Sequence, residues 1–96
     1  MFKLQASLSY KDNLDKLVKT NEILKKRLMS ALQKLSLNPT HPSLRSHKVN
    51  TSKHGVQWSS RVTGDIRIIW DYDSSERLVI LLLDIGGHSG SRKVYK

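Results

Sequence analysis

The sequence predicts an α+β fold: a small antiparallel sheet, made of an N-terminal strand and a C-terminal three-strand meander, packed against an N-terminal αα hairpin. Three patterns in the 96 residues lead there. Apolar and polar residues alternate near both ends of the chain, as they do in half-buried strands. Between those ends runs a leucine stripe at helical spacing. Near the C-terminus, the apolar block Leu78-Val79-Ile80-Leu81-Leu82-Leu83 is bounded by glycine and reads as a strand buried on both faces. A chain this short forms one domain, residues 1–96, with no room for a second core.

Taken in order, Phe2-Lys3-Leu4-Gln5-Ala6-Ser7-Leu8 alternates as a strand. Ser9 stands three residues before Asp12, a variant of the capping box, and Tyr10, Leu14, Leu17 and Val18 share one face of a short helix. Thr20 or Asn21 can cap a second helix, with Glu22 near its positive end. Its stripe is Leu24, Leu28, Ala31, Leu32 and Leu35, and Asn38-Pro39-Thr40-His41-Pro42 stops it. The stretch to Gly55 is polar and basic, a loop with a short extended piece at Leu44 to Val49. Val56, Trp58, Ser60 and Val62 then alternate with Gln57, Ser59 and Arg61. After a Thr63-Gly64 turn, Ile66, Ile68, Trp70 and Tyr72 alternate with Arg67, Ile69 and Asp71. Asp73-Ser74-Ser75-Glu76 links to the apolar block, which should lie inside the sheet with the N-terminal strand on its far side.

Charge is the second strong property. Lys and Arg total 17 against 8 acids, a formal net charge of +9. No acidic residue falls between Glu22 and Asp65, while Lys25, Lys26, Arg27, Lys34, Arg45, Lys48, Lys53 and Arg61 do. A field of one sign over half a small domain suits a polyanion or an acidic protein, or is merely a solvated basic surface. Cysteine is absent, which excludes disulfides and thiolate metal sites and suits a reducing cytoplasm. No apolar stretch approaches the roughly 20 residues that span a bilayer, and the N-terminus lacks the apolar segment of a secretory signal. A soluble cytoplasmic protein without a membrane role is expected.

Few residues here can do chemistry. Gly86-Gly87 turns the chain sharply as the last strand ends and delivers His88, with Arg92, Lys93 and Tyr95 close behind. A histidine in such a turn is otherwise an exposed loop residue. Arg61 and Arg67 flank a tight hairpin turn and can reach one patch, where planar guanidiniums would hold phosphate oxygens. Alternatively Arg67 pairs with Asp65 or Asp71 at the surface. His41, His47 and His54 meet no metal-ligand spacing, so neither metal nor cofactor is expected. Trp58, Trp70 and Tyr72 read as core, although an exposed ring can stack on a base. A basic protein with His, Tyr, Lys and Arg suits RNA cleavage by the 2′-hydroxyl, which needs only proton transfers and stabilisation of phosphorane charge.

In their order and spacing, Asn38-Pro39…His47-Lys48-Val49, Arg61…Gly64-Asp65-Ile66-Arg67-Ile68-Ile69-Trp70 and Ile85-Gly86-Gly87-His88…Val94-Tyr95 resemble the RelE/ParE superfamily of bacterial type II toxins over nearly the whole chain. The resemblance implies a toxin neutralised by a cognate antitoxin, an acidic one given the charge here. In the RelE-like branch it implies an endoribonuclease that enters the ribosome and cuts mRNA. Arg67 then matches the arginine that binds the scissile phosphate, and Arg61 a basic residue on the preceding strand. His88 would be the general acid and Tyr95 the terminal aromatic that orients the nucleotide. Lys48, Lys53 and His54 would supply the basic approach surface, with the choice of general base left open, and Arg92 and Lys93 further RNA contacts. Two other readings are a ParE-like toxin acting on DNA gyrase and a basic RNA- or partner-binding module without catalysis.

Overall fold

The computed structural model describes residues 1–19 and 21–87. Strand β1 (Lys3–Ala6) leads into helices α1 (Leu8–Val18) and α2 (Glu22–Leu37). A 3-10 turn η1 (Pro42–Leu44) and strands β2 (His47–Thr51), β3 (Gly55–Arg61), β4 (Ile66–Tyr72) and β5 (Val79–Gly87) complete it. The α+β architecture expected from the sequence is present, with the helical hairpin on a sheet of order β1-β5-β4-β3-β2. β5 lies inside, between β1 and β4, as its apolar sequence requires.

The sheet differs from the expectation in two ways. It has five strands, because the polar piece His47–Thr51 pairs antiparallel with β3 from Thr51↔Gly55 to His47↔Ser59. It is also mixed, since β1 runs parallel to β5 from Lys3↔Val79 to Ala6↔Leu82. The α1–α2 connection brings the chain back at β2 heading against β1, and the three antiparallel reversals from β2 to β5 then turn β5 parallel to β1. β1 ends there, and α1 carries on beside the second half of β5. The Ser7 N–H donates to Leu82 O at 2.9 Å, and the Ser7 hydroxyl to Leu83 O at 2.9 Å.

Ser7 also caps α1, accepting from the Tyr10 N–H at 3.1 Å, so the cap falls two residues before the Ser9 read from the sequence. Asn21 caps α2 through the Leu24 N–H at 3.0 Å. The main core lies between the helices and one sheet face: Tyr10, Leu28, Ala31, Leu35, Leu44, Ile68, Trp70, Ile80, Leu82 and Ile85 are its buried members. Trp58 and Trp70 stack at 5.5 Å, and the Trp70 indole donates to the Ser60 hydroxyl at 2.7 Å. Leu78, counted with the apolar block, instead turns the chain at φ 63 and is exposed. No helix is long and apolar enough to cross a membrane among the described residues.

Candidate functional site

Register decides which side chains share the other face. Arg61 lies directly opposite Arg67, and Arg67 opposite Gly86, so one rung crosses three strands. Residues opposite one another in a sheet point to the same side. The next rung on that face is His47–Ser59–Ile69–Asp84. It stays in phase because of an irregularity between Ile69 and Trp70, which leaves Leu83 unpaired. Without that extra residue the alternation set by Ile80 and Leu82 would put Asp84 in the core.

Arg61 and Arg67 are both half-buried, yet they are held differently. The Arg67 guanidinium donates to Thr63 O at 2.5 Å and Gly64 O at 3.1 Å. Main-chain oxygens of its own turn, rather than Asp65 or Asp71, therefore hold it. Val62 and Thr63 close the same turn by donating to Ile66 O. The Arg61 side chain makes no hydrogen bond or ion pair among the described residues. On the rung shared by these two residues, one guanidinium is anchored and the other is available.

The second rung holds a group that no local spacing betrays. Asp84, 5% exposed, accepts from Asn13 Nδ2 at 2.5 Å and from the Ile85 N–H at 2.9 Å. Its other oxygen lies 3.1 Å from His54 Nε2, an ion pair when the imidazole is protonated. A carboxylate only accepts, so Nε2 carries a hydrogen and a neutral ring presents Nδ1 as its free nitrogen. His54 is delivered by the turn between β2 and β3. The Thr51 hydroxyl accepts from the His54 N–H at 2.9 Å and donates to Gly55 O at 2.8 Å. Gly55 takes φ +74, the left-handed conformation that ends a three-residue hairpin loop. The turn is thereby drawn from the far side of the sheet to β5.

The other expected residues are spread around these rungs. Lys48 pairs with Trp58, so it sits on the opposite face from the arginines, its ammonium 5.1 Å from the Trp58 ring. Lys53 donates to the Ser9 hydroxyl at 3.0 Å, next to the start of α1. His88, Arg92, Lys93 and Tyr95 lie outside the described residues. The three histidines weighed for a metal have separate roles. His41 accepts from the Ser43 N–H at 3.1 Å, His47 meets Arg45 O at 2.8 Å, and His54 meets Asp84. Among the described residues no three His, Cys, Asp or Glu side chains gather as a metal site.

No protein-family model and no curated protein sequence matches the chain. Solved structures do. A metal-bound toxin from Helicobacter pylori is similar with a TM-score of 0.72 at 20% identity, over 92% of this chain and 96% of that one. A YoeB/ParE toxin from Agrobacterium tumefaciens gives 0.70 at 16%, over 92% of this chain and all of its own. The DinJ-YafQ complex from Escherichia coli gives 0.63 at 19%, over 92% and 94%. The likeness is one of fold: this chain folds as RelE/ParE-type toxins do, as the sequence motifs imply.

Proposed function

We propose that the protein is a toxin of a type II toxin–antitoxin system and a metal-independent endoribonuclease acting on mRNA at the ribosome. The observation that carries this reading is the Arg61–Arg67–Gly86 rung. It gathers two guanidiniums beside the strand end from which His88 follows in sequence. The fold likeness to toxins supports the toxin role. That two such toxins were solved in complexes, DinJ-YafQ and YoeB-YefM, supports a cognate antitoxin as partner.

In the proposed reaction a base removes the 2′-hydroxyl proton, and the O2′–P bond forms as the P–O5′ bond breaks. A general acid protonates O5′, leaving a 2′,3′-cyclic phosphate and a 5′-hydroxyl. Arg61 stabilises the charge on the non-bridging oxygens, and Arg67 keeps the hairpin turn rigid beside it. His88 is the acid and Tyr95 the nucleotide-orienting ring. His54 is the best-built base, because Asp84 fixes its ring and leaves Nδ1 free. Asp84 stands one rung, about 7 Å along the strand, from Gly86.

Expression in bacteria tests the proposal. Wild type should arrest growth with fragmented message, and His88→Ala should abolish arrest while still binding the antitoxin. Full toxicity of His88→Ala with accumulating DNA breaks would replace the ribonuclease with a gyrase poison. Growth unaffected by wild type would favour a module without catalysis.

A further inference from the structure

Three α2 residues, Arg27, Ser30 and Lys34, recur at spacings of three and four and so lie along one side of the helix. With Ser43 of η1 and Arg61 at the end of β3 they line a cavity of about 220 Å³, whose floor includes the buried Leu44. Cations therefore stand on two walls. No carboxylate lines the cavity, because every lining residue falls within the acid-free interval 23–64. Among the described residues the Arg27, Lys34 and Arg61 side chains make no hydrogen bond and no ion pair. Lys34 and Arg61 are nevertheless half-buried.

Three like charges bordering one concavity give it a positive field. An anion turns the same field into a binding energy. Size and lining describe that anion. Pockets for drug-like molecules are larger, roughly 300–1,000 Å³, and mostly apolar. This one is lined by polar and cationic side chains, which suits an anionic group. Two guanidiniums, an ammonium and the Ser30 hydroxyl line it, while the Ser43 hydroxyl is bonded to His41 Nδ1 at 2.8 Å. That matches the tetrahedral oxygens of a phosphate better than a planar carboxylate, which one arginine can satisfy.

We infer that the cavity between α2, η1 and β3 is a phosphate site, and that it takes a phosphodiester of the RNA flanking the one bound at the arginine rung. Arg61 belongs to both places, which makes the two sites continuous. The RNA half of this inference rests on the ribonuclease reading; the phosphate half does not.

The test uses the full chain and the double variant Arg27→Gln/Lys34→Gln, which removes charge without touching the core. Titration with inorganic phosphate, followed by amide NMR, should shift Ser30, Ser43 and Leu44 saturably in wild type. Affinity should be at least tenfold weaker in the variant. With a single-stranded 2′-O-methyl RNA, the variant's plot of log affinity against log salt should flatten by about 0.7, the value of one lost phosphate contact. No phosphate-induced shifts, or equal affinities in the two proteins, would overturn the site. Phosphate binding with an unchanged RNA salt slope would overturn its RNA role. Polyglutamate binding these amides more tightly than RNA would make it a protein-docking pocket instead. Should wild type cleave no message while the variant still loses phosphate, the ribonuclease reading fails and the phosphate site stands.

Discussion

The two faces of the sheet are built by the same strands and carry opposite kinds of residue. Towards the helices stand Ile68, Trp70, Ile80, Leu82 and Ile85, none more than 4% exposed. The other face carries Arg67, Ser59 and Ile69, with Arg61 at its edge beside the α2 cavity and Asp84 bonded to Asn13 of α1. Period two along each strand makes the separation possible, so β3 and β4 each serve folding on one side and carry the residues of the proposed chemistry on the other. Folding and function are therefore separable by mutation, one residue apart in sequence.

The comparison breaks most visibly at Trp70. Replacing it with Ala removes a buried indole, its stacking with Trp58 and its bond to Ser60, and should cost about 3–5 kcal/mol in urea unfolding. Cleavage per folded molecule should survive. The converse is Arg61→Ala, whose side chain has no hydrogen bond or ion pair to lose among the described residues. It should slow RNA cleavage about 10²–10³-fold, the effect of removing one donor to a developing oxyanion. Stability should change by no more than about 0.5 kcal/mol, as for an ordinary surface substitution.

A pH experiment sharpens the helix side. Burial pushes the Tyr10 phenol up from 10.0 to about 12. A raised folded-state value means the stabilisation is complete below pH 10 and is lost as pH rises towards 12. The loss should reach about 3 kcal/mol, at 1.36 per unit, and Tyr10→Phe should abolish it in alkaline unfolding curves. Smaller still is Asp84→Asn, the one change expected to touch both faces. Removing the charge that holds His54 and Asn13 should cost about 1–2 kcal/mol of stability and lower cleavage several-fold. Unchanged cleavage would assign Asp84 to structure alone.

Much of this was legible in the sequence because it is periodic. The leucine stripe of α2, the alternation in β3 and β4 and the interior position of β5 follow from side chains repeating at the pitch of their element. What escaped is what periodicity does not encode. β2 is polar and mostly exposed because an edge strand has one neighbour and a free side. The parallel pairing of β1 is set by the number of reversals between it and β5, not by its four residues. Asp84 carries no local signal inside an apolar run, since its partners Asn13 and His54 are 71 and 30 positions away. The irregularity at Leu83 that turns it to the face of Arg61 and Arg67 has no residue signature. Arg61 and Arg67 were paired correctly from the short hairpin, but their unequal anchoring needed the turn's carbonyls to be placed.

The most direct test of the ribonuclease account is the chemistry of the ends left on a translated message. Wild type should leave 5′-hydroxyl and 2′,3′-cyclic phosphate ends, and Arg61→Ala should leave almost none. Fragments bearing 5′-phosphates, or an intact message in growth-arrested cells, would contradict it.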